Sequence, residues 1–432
     1  MYKVGGVMIV AVLLLLGGCN ALENDSNSLE KDISGYWNGA IEIPGSPLPI
    51  EVELEQEEDL TGTIHIPSQN IDSYPLSSIT IKEEHASFTM DIQGQMLRFE
   101  GKVQESQWSG TFTQQGQSFP FTLTKGTKPQ AKEEFGVEEQ VETTKGPLYG
   151  NLATPENKDT FPVVLIIPGS GPTDRNGNSS LAGNNDSLKL LAKELAQQGI
   201  ASLRYDKRGV GKNANASIPE EEMTFGQFAA DATHWLELLK ADDRFTQVGV
   251  IGHSQGSLVG MLAAQEENIE VFISIAGASE PIGEVLLSQL EPQVSDDMLN
   301  KAEQLVESLK KGETVQDVPS ELASVFRPSI QSFMSSWMAY KPKEEIKKLD
   351  IPILAVGGTT DLQVPATSAE ALHEASDNSE LLIVNEMNHV LKKAPRNREE
   401  NVKTYNDPAL PLADGLMEGI LEFLEQQQFV DH

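Results

Sequence analysis

One stretch, Phe245–Met261 (FTQVGVIGHSQGSLVGM), limits what this chain can fold into more than any other. Its apolar, β-branched first half predicts a buried strand, and the small residues and leucine after the turn predict a helix. The turn between them, Gly252–Gly256, is so tight that a Cβ on either terminal glycine would collide with a neighbouring strand or helix. The stretch therefore predicts a strained Ser254 with its hydroxyl exposed at a helix N-terminus, where the amides and the helix dipole favour negative charge.

The N-terminus has the pattern of a targeting segment that is not part of the fold. Residues 1–19 combine a basic start at Lys3 with an apolar run, Val7–Leu16, too short to cross a bilayer as a stable helix. The Leu-Gly-Gly-Cys sequence that ends at Cys19 resembles the lipobox of bacterial lipoproteins, in which the cysteine behind the cleavage site is lipidated. We expect an extracytoplasmic protein, lipid-anchored to the bacterial cell membrane, with residues 20–31 as a polar tether. An ordinary secretory signal with an incidental cysteine is the alternative.

Composition limits the partners and cofactors. The 432 residues include 32 Lys and Arg against 65 Asp and Glu, which gives a net charge of −33. A polyanion of this kind is a poor partner for nucleic acid or anionic lipid headgroups, so we interpret the charge as surface solvation. Cys19 is the only cysteine, which excludes intramolecular disulfides and thiolate metal clusters. The catalytic mechanism inferred below implies no metal or organic cofactor, and the oligomeric state stays open.

The chain is long enough for two or three domains, and its sequence pattern changes along its length. Residues 32–126 consist of short alternating runs separated by Gly, Ser, Asn and Gln turns, which predict a small antiparallel β-barrel or sandwich. We interpret Trp37 and Trp108 as core residues of this domain rather than ligand-binding aromatics. After an acidic linker at 127–136, strands and helices alternate over 137–432, which predicts a mostly parallel sheet with flanking helices.

Five segments resemble, in order, the motifs of bacterial α/β-hydrolases of the serine esterase and serine aminopeptidase-like group: IIPGSGPTDRNGN, LRYDKRGVGK, VIGHSQGS, AVGGTTDLQVP and NEMNHVLK. The resemblance runs from about Val137 to the C-terminus and is closest to secreted esterases with an N-terminal β extension. It implies the α/β-hydrolase fold with Ser254 on the nucleophile elbow.

The loop after the predicted strand Pro162–Ile167 is the place where this fold supplies one amide of the oxyanion hole. We assign that amide to Ser170, with Gly171 as the alternative, and the second amide to Gln255. In relatives the loop often begins His-Gly, whereas here proline precedes Gly169. Because the donor is a backbone amide, this departure affects the conformation of the loop more than its chemistry.

The remaining catalytic groups follow by elimination. A serine hydroxyl is a poor nucleophile near neutral pH and needs a base that a carboxylate orients. In this fold the acid and then the histidine follow the serine in the chain. Three histidines follow Ser254, but one lies in a helical run and one ends the chain, which leaves His389 as the base. Asp361, just after the strand Ile353–Val356, is the predicted acid, and Glu386 is a neighbouring carboxylate that partly substitutes for it if needed.

Two further segments have structural interpretations. The motif DKRGVGK lacks the glycine and the Ser or Thr that a phosphate loop requires, so we interpret Asp206 and Arg208 as a structural ion pair bracing the floor of the site. Residues 280–348 form a helical insertion at the position where this fold usually carries a cap. Its apolar side chains fit core packing, an acyl pocket, or both: Phe326, Phe333, Met334, Trp337, Met338 and Tyr340.

Together these patterns predict a serine carboxylesterase that hydrolyses short- to medium-chain acyl esters of small molecules through an acyl-enzyme intermediate. A serine aminopeptidase with the same triad and an amide substrate is the alternative. It would need a carboxylate cluster to hold a free amino terminus, and the sequence does not locate one. A non-catalytic binding protein with a relic hydrolase body is the third hypothesis, which an activity assay would test.

We predict that Cys19→Ser abolishes lipid labelling and releases the protein from the membrane, because acyl chains rather than a spanning helix would anchor it. Metabolic labelling with a lipid analogue and fractionation of washed membranes measure the two effects. Retention of the variant in the membrane fraction would instead indicate an uncleaved signal anchor.

Overall fold

The structure is a computed structural model that describes residues 33–430, except for 44–46, 57–58, 67–70, 93–94, 115, 128–134, 157 and 180–182. The predicted signal segment 1–19, with the lipidation site Cys19, and the tether 20–31 lie outside the described residues. The chain divides near residue 130 into two compact units.

The N-terminal unit is one continuous antiparallel sheet with the strand order β4-β3-β2-β1-β9-β8-β7-β6-β5. Its alternating sequence places every second side chain on the buried face, as a half-buried strand requires. The expected antiparallel β domain is therefore confirmed. In the described part of this unit the strands are β1 (Gly35–Ile41), β2 (Leu48–Gln56), β3 (Leu60–Ile66), β4 (Ile71–Pro75), β5 (Ser78–Lys82), β6 (His85–Ile92), β7 (Gln95–Gln104), β8 (Gln107–Gln114) and β9 (Gln117–Gly126).

Aromatic side chains fill the core of this unit. Trp37 and Trp108 are fully buried, and their rings meet edge to face with centroids 5.9 Å apart. Phe88 stacks on Phe99 at 4.4 Å and meets Trp108 edge to face. Both tryptophans are core residues, as predicted, since aromatic pairs of this geometry stabilise a packed interior.

The C-terminal unit contains an eight-stranded sheet with the order β10-β11-β13-β12-β14-β15-β16-β17. Strands β10, β11 and β13 pair antiparallel, and the pairs from β13 through β12 to β17 are parallel. In the described part of this unit the strands are β10 (Val137–Val141), β11 (Leu148–Ala153), β12 (Phe161–Ile167), β13 (Ala201–Tyr205), β14 (Phe245–His253), β15 (Val271–Ile275), β16 (Ile353–Gly358) and β17 (Ser379–Val384).

Helices cover both faces of this sheet, which explains why the parallel strands are continuous apolar runs. Within β12, Val163 and Leu165 point into the core formed with α2, α3 and α9, while Val164 and Ile166 point into the core formed with α1 and α11. In the described part of this unit the helices outside the insertion are α1 (Ser187–Gln197), α2 (Phe225–Lys240), α3 (Gln255–Glu266), α9 (Thr367–Glu374), α10 (Arg398–Lys403) and α11 (Leu416–Gln426).

The predicted insertion 280–348 lies between β15 and β16 and is helical. Its described helices are α4 (Ile282–Leu290), α5 (Asp296–Lys310), α6 (Ala323–Phe326), α7 (Gln331–Met338) and α8 (Pro342–Ile346). The mostly parallel sheet, the flanking helices and the helical insertion together confirm the predicted fold class. Within the described residues no helix has the length and apolarity that a membrane span requires.

Candidate active site

The predicted site residues come together at one edge of the parallel sheet. Gly169 and Ser170 follow β12, Ser254 follows β14, Asp361 follows β16 and His389 follows β17. Parallel strands end at a common edge, so loops from four different strands meet there. Residues spread over more than half of the chain are therefore neighbours in space.

The turn between β14 and α3 is as strained as its sequence predicts. Ser254 has φ 55° and ψ −119°, a backbone conformation that residues other than glycine rarely adopt. A Cβ on Gly252 would lie 2.4 Å from the Gly256 carbonyl oxygen, and one on Gly256 would lie 2.3 Å from the Ile167 carbonyl oxygen. Both glycines are therefore required by sterics, and the turn holds the Ser254 hydroxyl at the start of α3.

Ser254, His389 and Asp361 form one line of hydrogen bonds. The distance from His389 Nε2 to Ser254 Oγ is 3.1 Å, and that from His389 Nδ1 to Asp361 Oδ2 is 2.8 Å. An ionised carboxylate only accepts hydrogen bonds, so Nδ1 carries the imidazole proton and Nε2 is free to accept the serine proton. The alternative acid, Glu386, is half exposed and lies 3.7 Å from the ammonium of Lys393.

The predicted acid and base are each oriented by further contacts. The second carboxylate oxygen of Asp361 accepts hydrogen bonds from the amides of Gln363 and Val364, at 2.7 and 3.0 Å. On the other side, His253 Nε2 donates to the carbonyl oxygen of His389 at 2.8 Å. Burial lowers the pKa of His253 to about 4, so this imidazole is neutral and its Nε2 carries the proton.

A buried amide side chain connects the acid loop to the base loop. Asn401 donates to the Thr360 carbonyl oxygen at 2.9 Å, and its side-chain oxygen accepts from Asn388 at 3.1 Å. Thr360 directly precedes Asp361, and Asn388 directly precedes His389. Both asparagines are fully buried. The distance between acid and base is thus fixed through their neighbours in the chain as well as through their own hydrogen bond.

The predicted oxyanion loop passes directly beside the nucleophile. A Cβ on Gly169 would lie 3.2 Å from the Cβ of Ser254. The Ser170 side chain is exposed, and its carbonyl accepts a hydrogen bond from the Thr173 hydroxyl at 2.7 Å. Gln255 occupies the first turn of α3, where backbone amides have no intrahelical acceptor. The assignment of the Ser170 and Gln255 amides to the oxyanion hole stays a prediction.

The predicted ion pair between Asp206 and Arg208 is wrong, although both residues are buried and paired. Asp206 binds Arg175, with 2.6 Å between Nη2 and Oδ2, and it also accepts from the Arg175 amide at 2.8 Å. Arg208 pairs instead with Asp231 in α2. Successive charged residues after β13 point in different directions, so each finds a separate partner. The Asp206 pair fastens the loop after β12, and the Arg208 pair fastens α2.

Between these two residues, Lys207 points toward the oxyanion loop. Its ammonium lies 3.0 Å from the Gly169 carbonyl oxygen, 2.6 Å from Gln255 Oε1 and 4.5 Å from the ring centroid of Phe228. Burial lowers the pKa of Lys207 to about 7. Among the described residues, none of the ion pairs includes Lys207.

The aromatic stretch of the insertion packs against α2. Trp337 stacks on Phe225 with centroids 5.2 Å apart, and Phe333 meets Phe228 edge to face at 5.6 Å. Met338 is buried in the same core. The core-packing interpretation of these side chains is therefore correct, and their role in an acyl pocket stays a prediction.

The sequence analysis missed three sets of contacts: those of Lys207 with the loop after β12, the bridge made by Asn401, and the true partners of Asp206 and Arg208. The three consecutive charged residues directly after β13 were a signal for the first and third sets, because charged side chains next to a buried strand need partners. No sequence signal indicated Asn401. Among the described residues, no group of three or more His, Cys, Asp or Glu side chains is arranged to hold a metal ion.

The chain is similar to known hydrolases in sequence and in structure. A family model described as serine aminopeptidase, S33, matches residues 185–395. Esterase EstD of Thermotoga maritima is 26% identical over 368 residues, which cover 84% of this chain and 80% of that protein. The chain has the α/β-hydrolase fold, as predicted. The matches confirm the predicted resemblance to the serine esterase and serine aminopeptidase-like hydrolases.

Two solved esterase structures are similar to this chain. Est1E of Butyrivibrio proteoclasticus has a TM-score of 0.45 and 19% identity, and the match covers 67% of this chain and 98% of that one. A thermophilic esterase of Thermogutta terrifontis has a TM-score of 0.41 and 16% identity, with 68% and 99% covered. The family-model match begins at residue 185, so it includes the motif DKRGVGK and does not include the start of the loop after β12.

We predict that stability falls as pH drops from about 6.5 towards about 4, partly because of His253. Its folded pKa lies below its unfolded value, so the unfolded chain takes up the proton first. The contribution is present above the unfolded pKa and is lost as pH falls through the folded pKa. The loss is roughly 3 kcal/mol for a shift of this size.

The matched comparison is His253→Gln, which keeps an N–H donor for the His389 carbonyl but does not titrate. Urea unfolding of both proteins at several pH values measures the free energy of unfolding. The difference in free energy of unfolding between the wild type and the variant should become smaller as pH falls. An equal dependence of both proteins on pH would show that His253 is not the group that titrates.

Proposed function

We propose that this α/β-hydrolase is a serine carboxylesterase that hydrolyses short- to medium-chain acyl esters of small molecules. The observation that carries the proposal is the line of hydrogen bonds from Ser254 through His389 to Asp361, with the serine on a strained elbow. A nucleophile, a base within reach of it and a carboxylate that orients the base are the three groups that acyl transfer from an ester requires.

In the first step His389 Nε2 takes the Ser254 proton while the oxygen attacks the ester carbonyl carbon. Asp361 holds the proton on Nδ1 and stabilises the imidazolium that forms. The tetrahedral intermediate collapses as His389 returns the proton to the leaving alcohol, which leaves the acyl group on Ser254. Water, deprotonated by the same histidine, then attacks the acyl-enzyme and releases the acid.

The oxyanion of both tetrahedral intermediates would be held by the amides of Gln255 and Ser170. Each donor of this kind contributes about 3–4 kcal/mol of transition-state stabilisation in a comparable serine hydrolase. The position of Gly169 against Ser254 supports this assignment, because the Ser170 amide directly follows Gly169 in the chain. Gly171 remains the alternative donor.

One relative supports an ester substrate, and the family model supports the alternative activity, that of an aminopeptidase. EstD carries the name esterase, and the family model carries the description of a serine aminopeptidase. The two activities share the triad and differ in the leaving group, because an amine leaves less readily than an alcohol. The aminopeptidase hypothesis also needs acidic side chains at the site to hold a free amino terminus.

We also propose that the enzyme works outside the cytoplasm, held at the membrane by lipid on Cys19. The proposal rests on the basic start, the short apolar run and the lipobox-like sequence of residues 1–19. Residues 20–31 would then separate the membrane from the folded units.

We predict that Ser254→Ala and His389→Ala each lower kcat by several orders of magnitude, because removing one member of a catalytic unit disables the whole unit. Asp361→Asn should be severe as well. Turnover of a chromogenic ester by purified, folded variants measures the effect. Retention of more than about a tenth of the activity in either alanine variant would contradict the assignment.

Glu386→Gln is the matched control, since it makes the same carboxylate-to-amide change on a side chain that faces Lys393. It should keep kcat close to that of the wild type. A larger loss in Glu386→Gln than in Asp361→Asn would transfer the role of the acid to Glu386.

We predict that rate rises with acyl length over short chains and then falls, with medium-length esters best and emulsified long-chain triglycerides nearly inert. A pocket closed by Phe333, Trp337 and Met338 gains about 0.8 kcal/mol per buried methylene until the chain reaches its wall. Further methylenes must displace packed side chains, at a cost of about 1–3 kcal/mol. Values of kcat/KM for nitrophenyl esters from acetate to palmitate measure the profile.

Two results of the same panel would contradict this substrate class. A steady rise of kcat/KM out to palmitate would indicate a lipase. Turnover of aminoacyl anilides at the rate of matched esters would favour the aminopeptidase.

A further inference from the structure

The group that most needs an explanation is a buried cation without a carboxylate. Lys207 is 6% exposed, whereas its neighbours Asp206 and Arg208 are each paired with an opposite charge. Taking an ammonium out of water is unfavourable unless other groups compensate for the lost hydration. The partners of Lys207 are neutral: the Gly169 carbonyl, the Gln255 side chain and the face of Phe228.

Two of these partners belong to the residues that frame the predicted oxyanion hole. The described peptide bonds are all trans, so the Gly169 carbonyl and the Ser170 N–H, which belong to the same peptide group, point in opposite directions within its plane. A hydrogen bond from Lys207 to that carbonyl therefore turns the Ser170 N–H away from Lys207. Gln255, which carries the other predicted amide, is held by its side chain to the same ammonium.

We propose that Lys207 is a positioning residue of the oxyanion hole, which fixes the Gly169–Ser170 peptide against the start of α3 and, in its protonated form, places a positive charge behind that peptide. The proposal rests on the proposed function, since it requires an oxyanion to form on the carbonyl that Ser254 attacks.

The charge argument and the geometric argument lead to the same result. In the resting enzyme the ammonium polarises neutral groups only. When the tetrahedral intermediate forms, a negative charge develops on the far side of the peptide that Lys207 holds. The interaction is therefore stronger in the transition state than in the ground state, which is the condition for lowering the barrier. Because a neutral amine still has two N–H groups, the orientation survives loss of the proton and the electrostatic part does not.

The test uses the full-length protein and a fluorophosphonate, which labels an activated serine whatever ester the enzyme prefers. Lys207→Met keeps the length of the side chain but removes the charge and the donors. We expect its rate constant for labelling Ser254 to fall between about 10-fold and 100-fold, less than for loss of an oxyanion donor itself. For an ester substrate kcat should fall by a similar factor while KM changes less than about threefold.

Two variants separate positioning from packing. Lys207→Arg restores a charged donor and should recover part of the rate, which a purely space-filling role would not require. Lys240→Met makes the same charge change at the far end of α2, where Lys240 pairs with Glu267, and should label at the wild-type rate. Thermal unfolding of each variant ensures that rates are compared among folded proteins.

Gln255→Leu tests the same contact from the other side if Lys207→Met does not fold. It removes the side-chain acceptor and keeps the backbone amide, so labelling should fall about tenfold at least. Labelling of Lys207→Met or Gln255→Leu within about threefold of the wild type would overturn the proposal. Failure of the proposed function looks different: the wild type itself would neither label at Ser254 nor turn over esters.

Discussion

The structure of the site depends on one close approach between two backbones. Helix α3 begins so near the end of β12 that Gly256 leaves no space for a Cβ beside the Ile167 carbonyl. This contact forces Ser254 into a conformation with positive φ and directs its hydroxyl out of the turn. It also brings the loop after β12 to Ser254, so the same contact places the predicted nucleophile and the loop predicted to stabilise the oxyanion. A larger residue at Gly256 would separate the two.

Buried charges hold the loop that this contact brings into place. The side chain of Asp206 binds both the guanidinium and the amide of Arg175, and the amide of Lys207 donates to the Thr173 carbonyl. Such groups are costly to bury, and their hydrogen bonds compensate for the loss of water only in one arrangement. The motif after β13 thus acts on the loop after β12, the strand next to it in the sheet. The conformation of that loop therefore depends on its contacts with residues that follow a different strand, β13.

The acid and the base are positioned with less strain and more hydrogen bonds. Asp361 and His389 come from neighbouring strands, and the side chain of Asn401 bridges the residues that precede them. The neutral His253 holds the backbone of His389 from the side of the elbow. Each predicted catalytic group is therefore fixed through its backbone as well as through its side chain, which limits the freedom that a triad of isolated side chains would have.

What the sequence determined by itself was local or periodic. The elbow followed from glycine sterics, the strands from apolar runs, and the order of Ser254, Asp361 and His389 from the position of each after a strand. The structure decided which side chains meet: Asp206 binds a residue 31 positions away, and Asn401 binds one 41 positions away. From the sequence alone, a charged or amide side chain at the end of a strand has several possible partners. The packing of the sheet and the dense interior decide among them, because only one set of contacts satisfies every buried polar group.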